Sequence, residues 1–172
     1  MTTPHTSSAC HAIADRLRSW AAGSHPLTAA VELLIRAFDG RFAEAGQPWI
    51  RIEDNGWVWL DDQILHANLG HLSGGERRVL DLVCALADPD PDRAVHLADA
   101  ITGIDRTHLD LVLAALAHAA GSHEHTGVIV DALTGAAHLR VLGPAHPWPE
   151  VAGASLPGAP AGPSQTARLR EL

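Results

Sequence analysis

The chain has 172 residues, a hydrophobic fraction of 47% and a formal net charge of −8. This length and apolar content predict one domain with a core of its own, and the acidic balance argues against direct binding to nucleic acid or to an acidic membrane. Without a run of about 20 apolar residues or a charged-then-apolar leader, we expect a cytoplasmic protein. Cys10 and Cys84 are the two cysteines, which is too few to indicate a disulfide framework.

The N-terminal part predicts two helices. Apolar residues recur at helical spacing over residues 9–22 and again over 24–46. Ser24 and Pro26 are typical of a helix start, and Gly46 predicts the stop of the second helix. We therefore expect an N-terminal helical extension over residues 1–25 and a main domain over residues 26–142.

A change of period then predicts a hairpin. Aromatic and β-branched residues alternate over residues 49–52 and 57–60, and Asn55-Gly56 between them is the strongest short hairpin signal. Trp49, Trp57 and Trp59 on this hairpin indicate core packing in preference to a partner surface. Ile64 and Leu65 predict a further short strand.

The following elements predict a parallel unit. Residues 76–88 have the apolar stripe of a helix, residues 94–97 and 127–130 have the composition of short strands, and residues 106–120 predict a helix between those strands. Strand, helix and strand in this order favour a right-handed parallel βαβ unit. Residues 136–142 predict a last strand. Residues 143–172 are rich in proline, glycine and alanine and predict a disordered tail.

The run Leu72-Ser73-Gly74-Gly75-Glu76 is the strongest candidate site. A serine and two glycines at a helix start leave N–H groups exposed at the positive end of the helix dipole, which favours anions. The simpler interpretation is a capping box between Ser73 and Glu76.

This run resembles the LSGGE signature of ATP-binding-cassette and SMC-type ATPases. The resemblance covers about residues 45–142 and implies an α/β, P-loop-NTPase-like half domain similar to the C-terminal signature lobe of SMC and recombination-repair heads. Downstream, Gly103-Ile104-Asp105 looks like the D-loop of that family. In this alignment the magnesium-binding aspartate falls on Ala98, and the catalytic glutamate falls on Asp99, which we expect to be a weak base.

The family's own ATP site cannot be completed by this chain. All 12 basic residues are arginine, so no Walker A lysine exists, and no histidine stands where strand 126–133 would place the switch histidine. The resemblance implies that Ser73, Gly74, Gly75 and Glu76 meet the nucleotide in trans. The partner would be a Walker A-bearing ATPase subunit or a second copy of the chain, with ATP and magnesium shared and no cofactor bound by the chain alone.

Two alternatives stay open at this point. The first is an inactive pseudo-ATPase that serves as a binding or scaffold module, with the signature kept as a helix cap. The second is a hydrolase that acts alone through Asp99, which the missing cation sites disfavour. Because these motif residues are missing, the sequence does not predict an autonomous enzyme.

Three histidines and a glutamate over residues 118–125 could bind zinc. The group is His118, His123, Glu124 and His125. A polar helix end in a histidine-rich chain explains the same residues, and a histidine near a helix C-terminus is favourable. We therefore predict no metal site.

Overall fold

The computed structural model describes residues 5–88 and 95–150, with side chains from residue 11 onward. Six α-helices and two β-hairpins make up the described part of the chain. They are α1 (His5–Ala21), α2 (His25–Arg36), β1 (Ile50–Ile52), β2 (Val58–Leu60), α3 (Asp62–Asn68), α4 (Gly74–Ala87), α5 (Leu97–Ile101), α6 (Arg106–Ala119), β3 (Thr126–Val130) and β4 (Ala137–Val141). Short 3₁₀ segments cover Ala37–Ala43, Leu69–His71 and Ser122–Glu124.

Helix α2 begins where its sequence predicts and ends earlier. The Ser24 side chain caps the helix by accepting the Leu27 N–H at 3.4 Å, and Pro26 lies in the first turn. The prediction that the helix continues to residue 46 was wrong. Phe38, Asp39 and Gly40 have φ values of 51°, 58° and 77°, and such left-handed backbone cannot continue a right-handed helix.

The core forms around α2, which packs against α1, α4 and α6. α1 contributes residues to the same buried cluster as the other helices. The largest fully buried side chains of these helices are Leu17, Val31, Leu33, Leu34, Val79, Leu80, Val83, Cys84 and Val112. Burial of such side chains is the main source of stability for the fold.

The predicted first hairpin is confirmed. β1 and β2 are antiparallel, with Ile50 opposite Leu60 and Ile52 opposite Val58. The turn is closed by the Asn55 side chain, which accepts the Trp57 N–H at 2.7 Å, and Gly56 adopts a φ of 83°. Trp49 is buried, as predicted, and its ring N–H donates to the Phe42 carbonyl at 2.7 Å. The prediction of core packing was wrong for Trp57, which is 50% exposed, and Trp59 is only half-buried.

The two other strand predictions before residue 100 were wrong. Residues 64 and 65 lie in α3, because Asp61 caps a helix there by accepting the Ile64 N–H at 3.0 Å. Residues 95 and 96 are irregular, and Leu97 begins α5. Residue 94 lies outside the described residues.

The parallel βαβ unit is also corrected. Residues 127–130 do form a strand, and residues 137–141 form the predicted last one, but β3 pairs with β4 as an antiparallel hairpin. Asp131 favours this local pairing because its side chain accepts the Leu133 and Thr134 N–H groups at 2.9 and 2.8 Å. Within residues 5–88 and 95–150, both sheets are two-stranded and antiparallel. The described part of the chain is therefore a mixed fold of helices and two small antiparallel sheets.

The segment from residue 143 to 150 packs back onto the helices, although its composition predicted disorder. The Ala145 N–H donates to Ser122 Oγ at 3.2 Å, and Trp148 contacts the core. The rest of the predicted tail, residues 151–172, lies outside the described residues. Of the described helices, none combines the length and apolar character needed to cross a membrane.

Candidate functional site

The signature run forms the start of α4, with Ser73 as the N-cap. Glu76 Oε2 accepts the Ser73 N–H at 2.8 Å, and Ser73 Oγ accepts the Glu76 N–H at the longer distance of 3.5 Å. The predicted capping box is therefore confirmed. Ser73 and Gly74 are exposed, and Gly75 is half-buried. Helix geometry leaves the N–H groups of Gly74 and Gly75 without an acceptor inside the helix.

Two arginines flank this helix start. Arg41, from the 3₁₀ segment after α2, forms an ion pair with Glu76 Oε1. The Arg78 guanidinium lies beside the first turn, because a Cβ on Gly74 would come within 3.0 Å of Arg78 Nη1. Arg78 Nε also donates to the Asp99 carbonyl at 3.1 Å. Arg78 lies two residues after the signature run in sequence, whereas no local pattern pointed to Arg41.

Arg78 joins the signature to the predicted D-loop. A Cβ on Gly103 would lie 3.7 Å from Arg78 Nη1, and Gly103 has a φ of 82°, which only glycine adopts easily. The guanidinium therefore lies near both Gly74 and Gly103. This places one positive charge next to the positive end of the α4 dipole.

Asp99 does not have the position that a Walker B residue requires. It is exposed on α5, which is a short helix, whereas the family motif ends a strand. It borders a cleft of about 400 Å³ that is also lined by His66, Arg77, Arg78, Asp81 and His96. The described residues around Ala98 and Asp99 therefore lack the strand that the predicted alignment with the family's catalytic pair requires.

Asp105 is the N-cap of α6 and is held by His108. Its carboxylate accepts the His108 N–H at 3.0 Å and contacts His108 Nδ1 at 2.6 Å. Since the Phe38 N–H points to His108 Nε2 at 3.3 Å, the proton of the neutral ring is on Nδ1. The backbone hydrogen bond from His108, followed by the ring contact, lowers the pKa of Asp105 below its ordinary value.

A cluster of three imidazoles lies at another place, where α2 begins and α6 ends. His25, His118 and His123 each have a ring nitrogen within 4.8 Å of those of the others. The pKa of His118 is lowered, mainly by burial and further by its electrostatic interaction with the neighbouring rings of His123 and His25. The sequence grouped His118 and His123 with His125, but His125 is exposed and lies outside the cluster. His25 was missed because it is distant in sequence.

The second hairpin exposes an apolar face. Val128 lies opposite Leu139, and Thr126 lies opposite Val141, so these residues and Val130 share one face of the hairpin. Val128, Val130, Leu139 and Val141 are 67%, 60%, 75% and 61% exposed. Adjacent exposed apolar side chains of this kind often mark interaction surfaces.

Comparisons with protein-family models, with curated proteins and with solved structures each found no match. The resemblance to ABC and SMC-type ATPases therefore depends on the residues of this chain alone.

Proposed function

We propose that this protein is a non-hydrolysing partner of an ATPase and that it presents the start of α4 to a nucleotide held by the partner. The observation that carries the proposal is the exposed turn at Ser73 and Gly74 with the Arg78 guanidinium beside it. Helix N–H groups, a hydroxyl and a guanidinium together suit the oxygens of a terminal phosphate.

The contacts at the start of α4 give the residues of the signature run two different roles, one structural and one in phosphate binding. Glu76 holds the turn, since its carboxylate contacts both the Ser73 N–H and Arg41. Ser73, Gly74 and Gly75 are the groups left to meet a phosphate. Glycine at residue 74 also leaves the space that Arg78 occupies.

The partner would supply what the sequence does not contain. A Walker A lysine would come from that subunit, and so would the carboxylate for magnesium, because Ala98 stands at the corresponding place in the family alignment. A second copy of this chain cannot supply the lysine, which favours a different subunit over a homodimer. ATP and magnesium would then be shared across the interface, as the family resemblance implies.

The test is a turnover assay with purified Walker A ATPases encoded in reading frames next to that of this chain. We expect the wild-type chain to change ATP turnover, and we expect Ser73→Ala to reduce that change roughly tenfold, since a hydrogen bond to a charged group is lost. Ser24→Ala is the matched control, because Ser24 caps α2 with a comparable bond of 3.4 Å but lies outside the signature. Equal effects of the two variants would contradict the proposal.

A scaffold role is the second candidate, and the apolar face of β3 and β4 favours it. In that case the chain binds the same ATPase through the hairpin, and binding does not depend on nucleotide or on Ser73. Val128→Thr with Leu139→Thr should then weaken binding in the presence of either ADP or a non-hydrolysable ATP analogue. His138→Thr is the control, because His138 lies on the opposite face of the hairpin. Binding that needs the ATP analogue and Ser73 supports the first candidate instead.

A further inference from the structure

Three histidines from distant parts of the chain meet at one end of the helical core. His25 is in the first turn of α2, His118 is in the last turn of α6, and His123 is in the 3₁₀ turn that follows α6. All three side chains are half-buried, and their nitrogens lie within 4.8 Å of one another. Because α2 and α6 pack along each other, the helical core fixes the relative positions of His25 and His118.

The turn after α6 is shaped to bring His123 to the other two rings. Gly121 reverses the chain with a φ of 69°, and a Cβ at this residue would lie only 3.4 Å from His25 Cδ2. The left-handed backbone at this residue favours glycine, and the turn passes close to the His25 ring. The result is a stacked pair, with the ring centroids of His118 and His123 4.2 Å apart.

Two observations point to a ligand that binds at this cluster. His123 Nδ1 is buried, and the described residues offer it no hydrogen-bond partner. A buried polar atom without a partner destabilises the fold, so such atoms call for an explanation. In addition, a carboxylate borders the cluster: Glu124 lies 3.2 Å from His25 Nε2 and 3.9 Å from His123 Nε2.

We propose that His25, His118 and His123 bind a zinc ion, with the Glu124 carboxylate as the fourth ligand. Neutral imidazole nitrogens and one carboxylate oxygen are ligands that suit Zn²⁺, and four of them complete a tetrahedral site. The ion would join the start of α2 to the end of α6 and to the turn before β3. It is a structural site, independent of the start of α4.

Coordination requires the side chains of the cluster to turn toward the ion. Zn–N bonds of about 2.0–2.1 Å in a tetrahedron place the nitrogens about 3.4 Å apart, somewhat closer than the present limit of 4.8 Å. The stacked rings of His118 and His123 must turn so that their nitrogens converge on the ion. Coordination through Nδ1 would also give the buried His123 nitrogen its missing partner.

Zinc titration of tag-free protein tests this site, because a polyhistidine tag would bind the metal itself. After treatment with EDTA, the protein is titrated with Zn²⁺ against a chromophoric chelator, and the melting temperature is followed in parallel. We expect one zinc per chain and a rise in Tm of roughly 5 °C or more at a free zinc concentration about 100 times Kd. Co²⁺ in the same site should give the visible absorption of a four-coordinate ion.

The variants distinguish this site from chance binding at surface histidines. His25→Gln and His118→Gln should each raise Kd by roughly a hundredfold, and Glu124→Gln should raise it roughly tenfold. The exposed His125 is the matched control, and His125→Gln should leave Kd unchanged. Melting each variant in EDTA shows whether it folds without metal. The two histidine variants, His25→Gln and His118→Gln, give independent tests. Equal zinc affinity in the wild type, in His118→Gln and in His25→Gln would overturn the proposal.

Discussion

Glu76 illustrates at the scale of one residue how the candidate site is built. One carboxylate oxygen accepts the Ser73 N–H, and the other forms the ion pair with Arg41. Ser73 Oγ accepts a long bond, of 3.5 Å, from the Glu76 N–H, and the residue is exposed. A short capping motif thus leaves Ser73 exposed while the glutamate fixes the turn.

Glu32 provides a prediction on pH. Its carboxylate contacts Arg18 Nε at 2.5 Å and Arg36 Nε at 2.9 Å. Burial would raise the pKa of Glu32, but hydrogen bonds and charges from the two arginines outweigh burial and hold the pKa below its ordinary value of 4.5. A carboxyl with a lowered folded-state pKa stabilises the fold above its unfolded pKa, and this stability is lost as the pH falls through the folded pKa.

Glu32→Gln should therefore be less stable than the wild type at pH 7, by roughly 1–3 kcal/mol, because two arginines lose a charged partner. The difference should shrink as the pH falls below about 4. Urea unfolding followed by circular dichroism between pH 7 and pH 3 measures both effects. Asp15→Asn is the control, since Asp15 makes an exposed ion pair with Arg18, and its effect should stay within about 0.5 kcal/mol. A stability difference between Glu32→Gln and the wild type that does not change with pH would contradict the lowered pKa of Glu32.

At the scale of elements, starts of helices and tight turns were predictable because their signals are local. Ser24 and Ser73 cap helices through side chains that bond to a backbone N–H three residues ahead. Asn55-Gly56 forms a hairpin turn through a bond between residues two positions apart. The strands predicted at residues 64–65 and 94–97 failed for the opposite reason. A short apolar run does not specify its partner, and it suits a helix equally well.

The end of α2 was not predictable either, and it leads to a stability prediction. Asp39 is exposed with a φ of 58°, which costs energy for a residue with a Cβ, whereas Gly40 has a φ of 77° without that cost. Asp39→Gly should stabilise the protein by about 0.5–1 kcal/mol because it relieves the left-handed strain.

Gly40→Ala should have the opposite effect at the neighbouring residue. It places a Cβ in left-handed backbone, 3.0 Å from the Ile35 carbonyl oxygen, so a loss of roughly 1–2 kcal/mol is expected. Thermal and urea unfolding of the two variants give the sign directly. If both substitutions destabilise to the same extent, the turn between α2 and β1 does not hold these residues in left-handed backbone.

At the scale of the whole molecule, the sequence could not show which distant groups meet. The order of elements favoured a parallel sheet, but the turn at Asp131 pairs β3 with its immediate neighbour. In the same way, Arg41 reaches Glu76 and His25 reaches His118 only because the helices pack as they do. Motif residues were therefore predictable, while their partners required the fold.

The segment after β4 is also held by residues that are distant in sequence. Trp148 packs against the core, with the Arg36 guanidinium 5.1 Å from its ring centroid and the His118 ring 6.2 Å away. The ring thus contacts residues of both α2 and α6. Trp148→Ala should lower the free energy of unfolding by roughly 1–3 kcal/mol, because apolar contact and a cation–π contact are lost together.

Trp57 is the matched control, because it is 50% exposed on the first hairpin. Trp57→Ala should change stability by no more than about 0.5 kcal/mol, as for most surface substitutions. Urea unfolding followed by far-ultraviolet circular dichroism compares the two without relying on tryptophan fluorescence. A larger loss for Trp148→Ala than for Trp57→Ala means that residues 143–150 are part of the fold despite their proline-rich composition. Equal losses would mean that this segment contributes no packing and that its contacts with α2 and α6 do not persist in solution.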